Sequence, residues 1–109
     1  MSFPIGHEII RQGDDGDSLF ILVEGEVEIR IDGETLSHVM SSSDVIGELA
    51  LLTGDTRSAT CIARSEVAAL RVGRDPFWRL IRERPEVALG TIQLLLEYLD
   101  YYVQKSKKD

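Results

Sequence analysis

The chain has 109 residues, 43% of them apolar, a formal net charge of −7 and one cysteine. That is the size of one domain with one core, and the acidic balance argues against a nucleic-acid surface or contact with an anionic membrane. A lone cysteine excludes an intrachain disulfide, no apolar run approaches the length of a membrane span, and residues 1–7 lack a secretory pattern, so the cytoplasm is the expected compartment. A small anionic ligand stays open, because it feels the local field rather than the total charge.

The first two-thirds of the chain has the grammar of short strands. β-rich runs at 8–11, 19–24, 26–31 and 34–40 are separated by glycine and aspartate. Residues 19–23 are apolar on both faces, which predicts a central strand. In the next run Val27, Ile29 and Ile31 alternate with Glu26, Glu28 and Arg30, which predicts one buried face. Asp32-Gly33 between two such runs predicts a tight hairpin. Two further strands are expected at 58–63 and 67–72.

Between them lies IGELALLTGDTRSAT, residues 46–60. Gly47 allows a turn that other residues resist. Glu48 to Leu52 are good helix formers and Gly54 stops them, giving about one helical turn whose unpaired N–H groups suit an anion. Arg57 supplies a planar fork of donors, Ser58 a hydroxyl, and Ala59 leaves space. Glu48 is negative and cannot hold the anion, but it can accept from a neighbouring hydroxyl. The stretch therefore asks for a phosphate and a sugar hydroxyl side by side; the alternative is a plain ion pair between Glu48 and Arg57.

The last third changes period. Asp75-Pro76 reads as a helix cap and first helical position, with Phe77, Leu80 and Ile81 as an apolar stripe, and Pro85 ends that helix. A long helix is expected over 87–105, with Ala88, Ile92, Leu95, Leu99 and Tyr102 on its stripe. Its apolar surface is wide enough for two contacts: the sheet, and either the preceding helix, a partner subunit or a ligand. No nucleophile–base set or carboxylate pair appears. His7 and His38 stand apart from other metal-ligating types, so neither an enzyme nor a metal site is expected. Cys61, in an apolar run, reads as a small buried hydrophobe.

The segment from Ile46 to Leu52, the loop to Thr56 and Arg57-Ser58-Ala59-Thr60 resemble the phosphate-binding cassette of the cyclic-nucleotide-binding domain family, F/I-G-E-x-A-L-L followed by R-S/T/A-A-T/S. A second family signature fits residues 4–21, from Pro4 through Gly13-Asp14-Asp15-Gly16-Asp17 to Phe20-Ile21, and Gly25-Glu26-Val27 follows where the family has G-x-V. The resemblance covers nearly the whole chain. Two departures stand out: Ser41-Ser42-Ser43-Asp44-Val45 stands where the family often has glycine before the cassette, and Ile46 replaces the commoner phenylalanine. The helix that usually precedes the roll is not in the sequence given.

The resemblance implies a mainly β fold, an eight-stranded antiparallel β-roll of jelly-roll type over about residues 1–73. A short cassette helix and two C-terminal helices over about 75–105 complete a single domain, regulatory in itself or a fragment of a larger protein. The ligand it implies is a cyclic nucleotide, cyclic AMP favoured over cyclic GMP. Gly47, Glu48, Leu49, Ala50, Arg57, Ser58 and Ala59 would form the sugar-phosphate site, with Arg57 on the phosphate, Glu48 on the ribose 2′-hydroxyl and the N–H groups of Ala50 and Ser58 completing the cradle. Ile29, Met40 and Ile46 would line the base from below, and Tyr98 and Tyr102 would approach from a mobile last helix. A homodimer through that helix, or a fused output domain, fits the same picture. The alternative is a scaffold module that keeps the roll but binds no nucleotide.

Overall fold

The computed structural model describes residues 1–86, apart from the side chains of Ser37 and His38. The expected helix over 87–105, with Tyr98 and Tyr102, lies outside the described residues. The chain divides into two units, Met1–Arg74 and the part from Asp75 onward.

The first unit is built from eight strands: β1 (Ser2–Phe3), β2 (Glu8–Ile10), β3 (Ser18–Glu24), β4 (Val27–Ile31), β5 (Glu34–Met40), β6 (Val45–Ile46), β7 (Thr60–Ala63) and β8 (Val67–Gly73). They form two four-stranded sheets with orders β1-β8-β3-β6 and β2-β7-β4-β5, and every pairing is antiparallel. The expected β-roll is present.

The reasons are local. β3 lies between β8 and β6 and is filled on both faces from Ser18 to Phe20, as its continuous apolar run requires. In β4 the buried residues are Val27, Ile29 and Ile31. Asp32 and Gly33 both take positive φ, 52° and 81°, the conformation a two-residue hairpin needs to match strand twist. Leu22, Val27, Ile46, Leu51 and Val67 are fully buried and form the centre of the core.

One strand is not expected from the sequence, and among the boundaries that differ two have local causes. β6 is only two residues long, paired to Phe20 and Ile21, too short to show a period in sequence. β7 begins at Thr60 rather than Ser58, because the backbone of Arg57 is engaged elsewhere: its N–H donates to Asp14 O at 2.7 Å and its carbonyl accepts from Gly13 N at 2.9 Å. The helix α2 (Arg74–Glu83) starts one residue early, so Asp75 sits in the first turn; there its charge still favours the helix N-terminus. Within α2, Phe77 meets Trp78 edge-on with centroids 5.6 Å apart.

Candidate functional site

The short helix α1 (Glu48–Thr53) sits between β6 and β7, bounded by Gly47 and Gly54, both left-handed. The two glycines make the helix this short: Gly47 (φ 84°) turns the chain out of β6, and Gly54 caps the other end with its N–H on Ala50 O. Ala50 is buried and Leu49 half-buried. The N–H groups of Glu48, Leu49 and Ala50, in the first turn, have no carbonyl four residues back within the helix.

Arg57 comes from the loop after α1 and runs inward. The residue as a whole is 8% exposed. Nη1 donates to Ser18 O at 2.7 Å and to Gly47 O at 2.9 Å, and Nη2 donates to Ser18 Oγ at 3.3 Å. The side chain thereby joins the start of β3 to the turn that opens α1. Two glycines leave room for it. A Cβ on Gly16 would stand 2.5 Å from Ala50 Cβ and 2.8 Å from Arg57 Nε; one on Gly47 would stand 2.6 Å from Arg57 Nη1. Burial lowers the Arg57 pKa, and Asp17 is the strongest of the neighbours that pull it back up.

Glu48 is 2% exposed, and its Oε2 has no hydrogen-bond partner among the described residues. Burial pushes its pKa up to about 7; its own backbone N–H and the Arg57 charge act the other way without overcoming that. No salt bridge joins Glu48 to Arg57 among the described residues. The plain ion pair that the sequence left open is therefore not formed. The result is a buried acceptor lacking a donor near a buried cation whose donors are only partly used. Cys61 is buried behind them, its thiol pushed up to about 12 by burial and by Glu48.

Of the other expected site residues, Ser58 is exposed and Ala59 half-buried, both in the bend before β7. Ile29, Met40 and Ile46 are buried: Ile29 opposite Cys61, Met40 opposite Val27, Ile46 opposite Phe20. The sequence reading missed Ser18, 3% exposed, which supplies two of the three acceptors of Arg57. Among the described residues no group of His, Cys, Asp and Glu is arranged to hold a metal, and no helix is long and apolar enough to cross a membrane.

A family profile described as cyclic nucleotide-binding domain matches residues 1–84. The chain is 33% identical over 103 residues to a CRP-like cAMP-activated global transcriptional regulator of Mycobacterium tuberculosis, covering 91% of this chain and 46% of that protein. It is 40% identical over 102 residues to a cAMP-dependent protein kinase regulatory subunit of Emericella nidulans, covering 93% of this chain and 23% of that one. Among solved structures, the catabolite activator protein of Thermus thermophilus superposes with a TM-score of 0.83 at 29% identity, over 96% of this chain and 51% of that one. The chain thus spans about half or less of the length of these three relatives.

Proposed function

The chain belongs to the cyclic nucleotide-binding domain family, and from that premise we propose that it binds a 3′,5′-cyclic nucleotide at the Glu48–Arg57 site and serves as a regulatory domain. The observation that carries the reading is the buried Glu48 Oε2, which has no hydrogen-bond partner among the described residues. Leaving a buried polar atom unpaired costs about 1–3 kcal/mol, and a ribose 2′-hydroxyl is a neutral donor of the right size to remove that cost. Arg57 takes the phosphate with its remaining donors, and the N–H groups of Ala50 and Ser58 and the Ser58 hydroxyl take its other oxygens. Gly47, Leu49 and Ala59 shape the backbone and the space around them.

A cyclic phosphodiester carries one negative charge, matched by one guanidinium in a partly dry pocket. A linear nucleotide brings more charge and an additional free hydroxyl, and is bound more weakly. Cyclic AMP is favoured, in line with the names of the mycobacterial and fungal relatives. In this reading Ile29, Met40 and Ile46 belong to the base side of the roll. Closure of the sequence over 87–105 carries the signal to an output domain or a second copy in the cytoplasm, with the whole chain acting as one binding domain. Such a shift requires the ligand to prefer the closed state.

Calorimetric titration with cyclic AMP, cyclic GMP, 2′-deoxy cyclic AMP and 5′-AMP tests this. The expected order places cyclic AMP first, with the 2′-deoxy analogue and 5′-AMP weakened. Absence of binding by either cyclic nucleotide would return the chain to the reading of a scaffold module. Hydrogen exchange over 87–105 that is identical with and without ligand would remove the closure step.

A further inference from the structure

Arginine offers five N–H donors in a rigid plane. In Arg57 three are committed, two to Ser18 through its carbonyl and its hydroxyl, and one to Gly47 O. No described residue accepts from Nε. Ser18 reaches both Nη atoms and so sits at their common end, which leaves Nε–H and the second Nη2 hydrogen along one edge of the planar group, a side-on fork for a phosphate oxygen.

A carbonyl anchor at Nη1 alone leaves the plane free to pivot about that contact. A second anchor on Nη2, from the same residue, removes the pivot. Ser18 is suited to this, because it opens β3 and is 3% exposed, so its hydroxyl has no bulk water to turn to. A buried hydroxyl is costly unless it is hydrogen-bonded. Gly16, at the Nε side, leaves the open edge free of a side chain.

We propose that the Ser18 hydroxyl is a positioning residue for anion recognition. It fixes the plane of Arg57 so that the Nε/Nη2 edge, rather than the Nη1/Nη2 end, meets the phosphate. The inference rests on the cyclic-nucleotide reading above. It also makes Ser18 responsible for which exocyclic phosphate oxygen the fork grips, a property separate from choice of base.

The test uses the full chain with Ser18→Ala and Ser18→Thr, titrated with cyclic AMP, cyclic GMP and the two diastereomeric phosphorothioates of cyclic AMP. Each phosphorothioate replaces one exocyclic oxygen by sulfur. Loss of one hydrogen bond predicts that Ser18→Ala weakens cyclic AMP about threefold to tenfold. The affinity ratio between the diastereomers contracts toward unity, the ratio of cyclic AMP to cyclic GMP stays at the parent value, and Ser18→Thr restores the diastereomer ratio. Ser18→Cys, close in size with a poor acceptor, gives the same reading where the alanine variant folds badly by circular dichroism. An unchanged diastereomer ratio overturns the proposal, whether affinity holds or falls equally for all ligands, because the latter marks a merely structural residue. A parent chain that binds no cyclic nucleotide overturns the functional reading, and this proposal with it; a parent that binds while the variants discriminate as it does overturns this proposal alone.

Discussion

Glu48 and Arg57 are both buried, yet they share no salt bridge among the described residues; Arg57 gives three donors to Ser18 and Gly47 instead. Burial, only partly offset by its own backbone N–H and the Arg57 charge, leaves an energetic deficit on the acid. Its pKa, about 7 against an ordinary 4.5, expresses that deficit.

The deficit makes stability depend on pH. The folded state holds the Glu48 proton more tightly than the unfolded state does. Its contribution is therefore full below about 4.5, is lost as pH rises to about 7, and is level above that. The size is roughly 3 kcal/mol at 1.36 kcal/mol per pKa unit. Glu48→Gln, which carries no charge, is expected to raise the melting temperature at pH 8 and to flatten the profile between about pH 4.5 and 7. Thermal melts of both proteins from pH 4.5 to 8 check it; an equal slope in the two would refute the assignment of the deficit to Glu48.

Arg57 is expected to matter with and without ligand. Truncating one partner of a buried charge pair costs roughly 2–5 kcal/mol, so Arg57→Ala weakens cyclic-nucleotide binding about 30-fold to several thousand-fold at 1.4 kcal/mol per decade. The variant also leaves Ser18 O and Gly47 O without their donor, at about 1–3 kcal/mol for each carbonyl that finds no water. Arg57→Lys keeps the charge but not the fork, and is expected to recover little of either. Calorimetry measures the first effect, and urea unfolding of the unliganded protein the second.

How much of this was written in the sequence depends on the distance over which each feature acts. The Val27, Ile29, Ile31 alternation and the Asp32-Gly33 turn are local, and both appear where expected. So do the two glycines that bound α1. The strand after Arg57 was read two residues too long because side-chain pattern alone does not reveal that the Arg57 backbone pairs with Gly13 and Asp14. Ser18 was missed for the same reason. Ahead of an apolar run it looks like the end of a turn, and its partner is 39 residues away. Ionic complementarity between Glu48 and Arg57 was legible; the carbonyls and hydroxyl that divert Arg57 from Glu48 were not.

Gly16 is the sharpest steric test of the site. Its backbone does not need positive φ, so the effect of a methyl there is a matter of space. A Cβ would stand 2.5 Å from Ala50 Cβ, 2.8 Å from Arg57 Nε and 2.9 Å from Arg57 Cδ, closer than such atoms approach. The loop, α1 or Arg57 must shift. Gly16→Ala is expected to weaken cyclic-nucleotide binding at least tenfold, and to destabilise the fold by about 1–3 kcal/mol as overpacking does. Gly33→Ala is the contrast: it has open space around its Cβ but φ of 81°, so it strains the β4–β5 hairpin without touching the residues that hold Arg57. Paired calorimetry and melts separate the two, and equal binding losses in both variants would count against a steric role for Gly16.

Ser43 offers a change in the opposite direction. It has φ of 77°, a left-handed conformation that costs an L-residue roughly 1–2 kcal/mol. The turn is held by other groups: Ser43 N donates to Leu22 O, Asp44 N to Ser41 O, and Ser41 N to Asp44 Oδ2. The exposed Ser43 side chain makes none of these bonds. Glycine relieves the strain but enlarges the freedom of the unfolded chain by about 0.4–1 kcal/mol, so the net gain for Ser43→Gly is about 0.5–1 kcal/mol. At roughly 4–8 °C per kcal/mol for a domain near this size, the melting temperature rises by about 2–8 °C. Because Ser43 lies outside the Glu48–Arg57 contacts, affinity for cyclic AMP stays at the parent value. A fall in melting temperature would mean that the Ser43 side chain does more than its exposed position indicates.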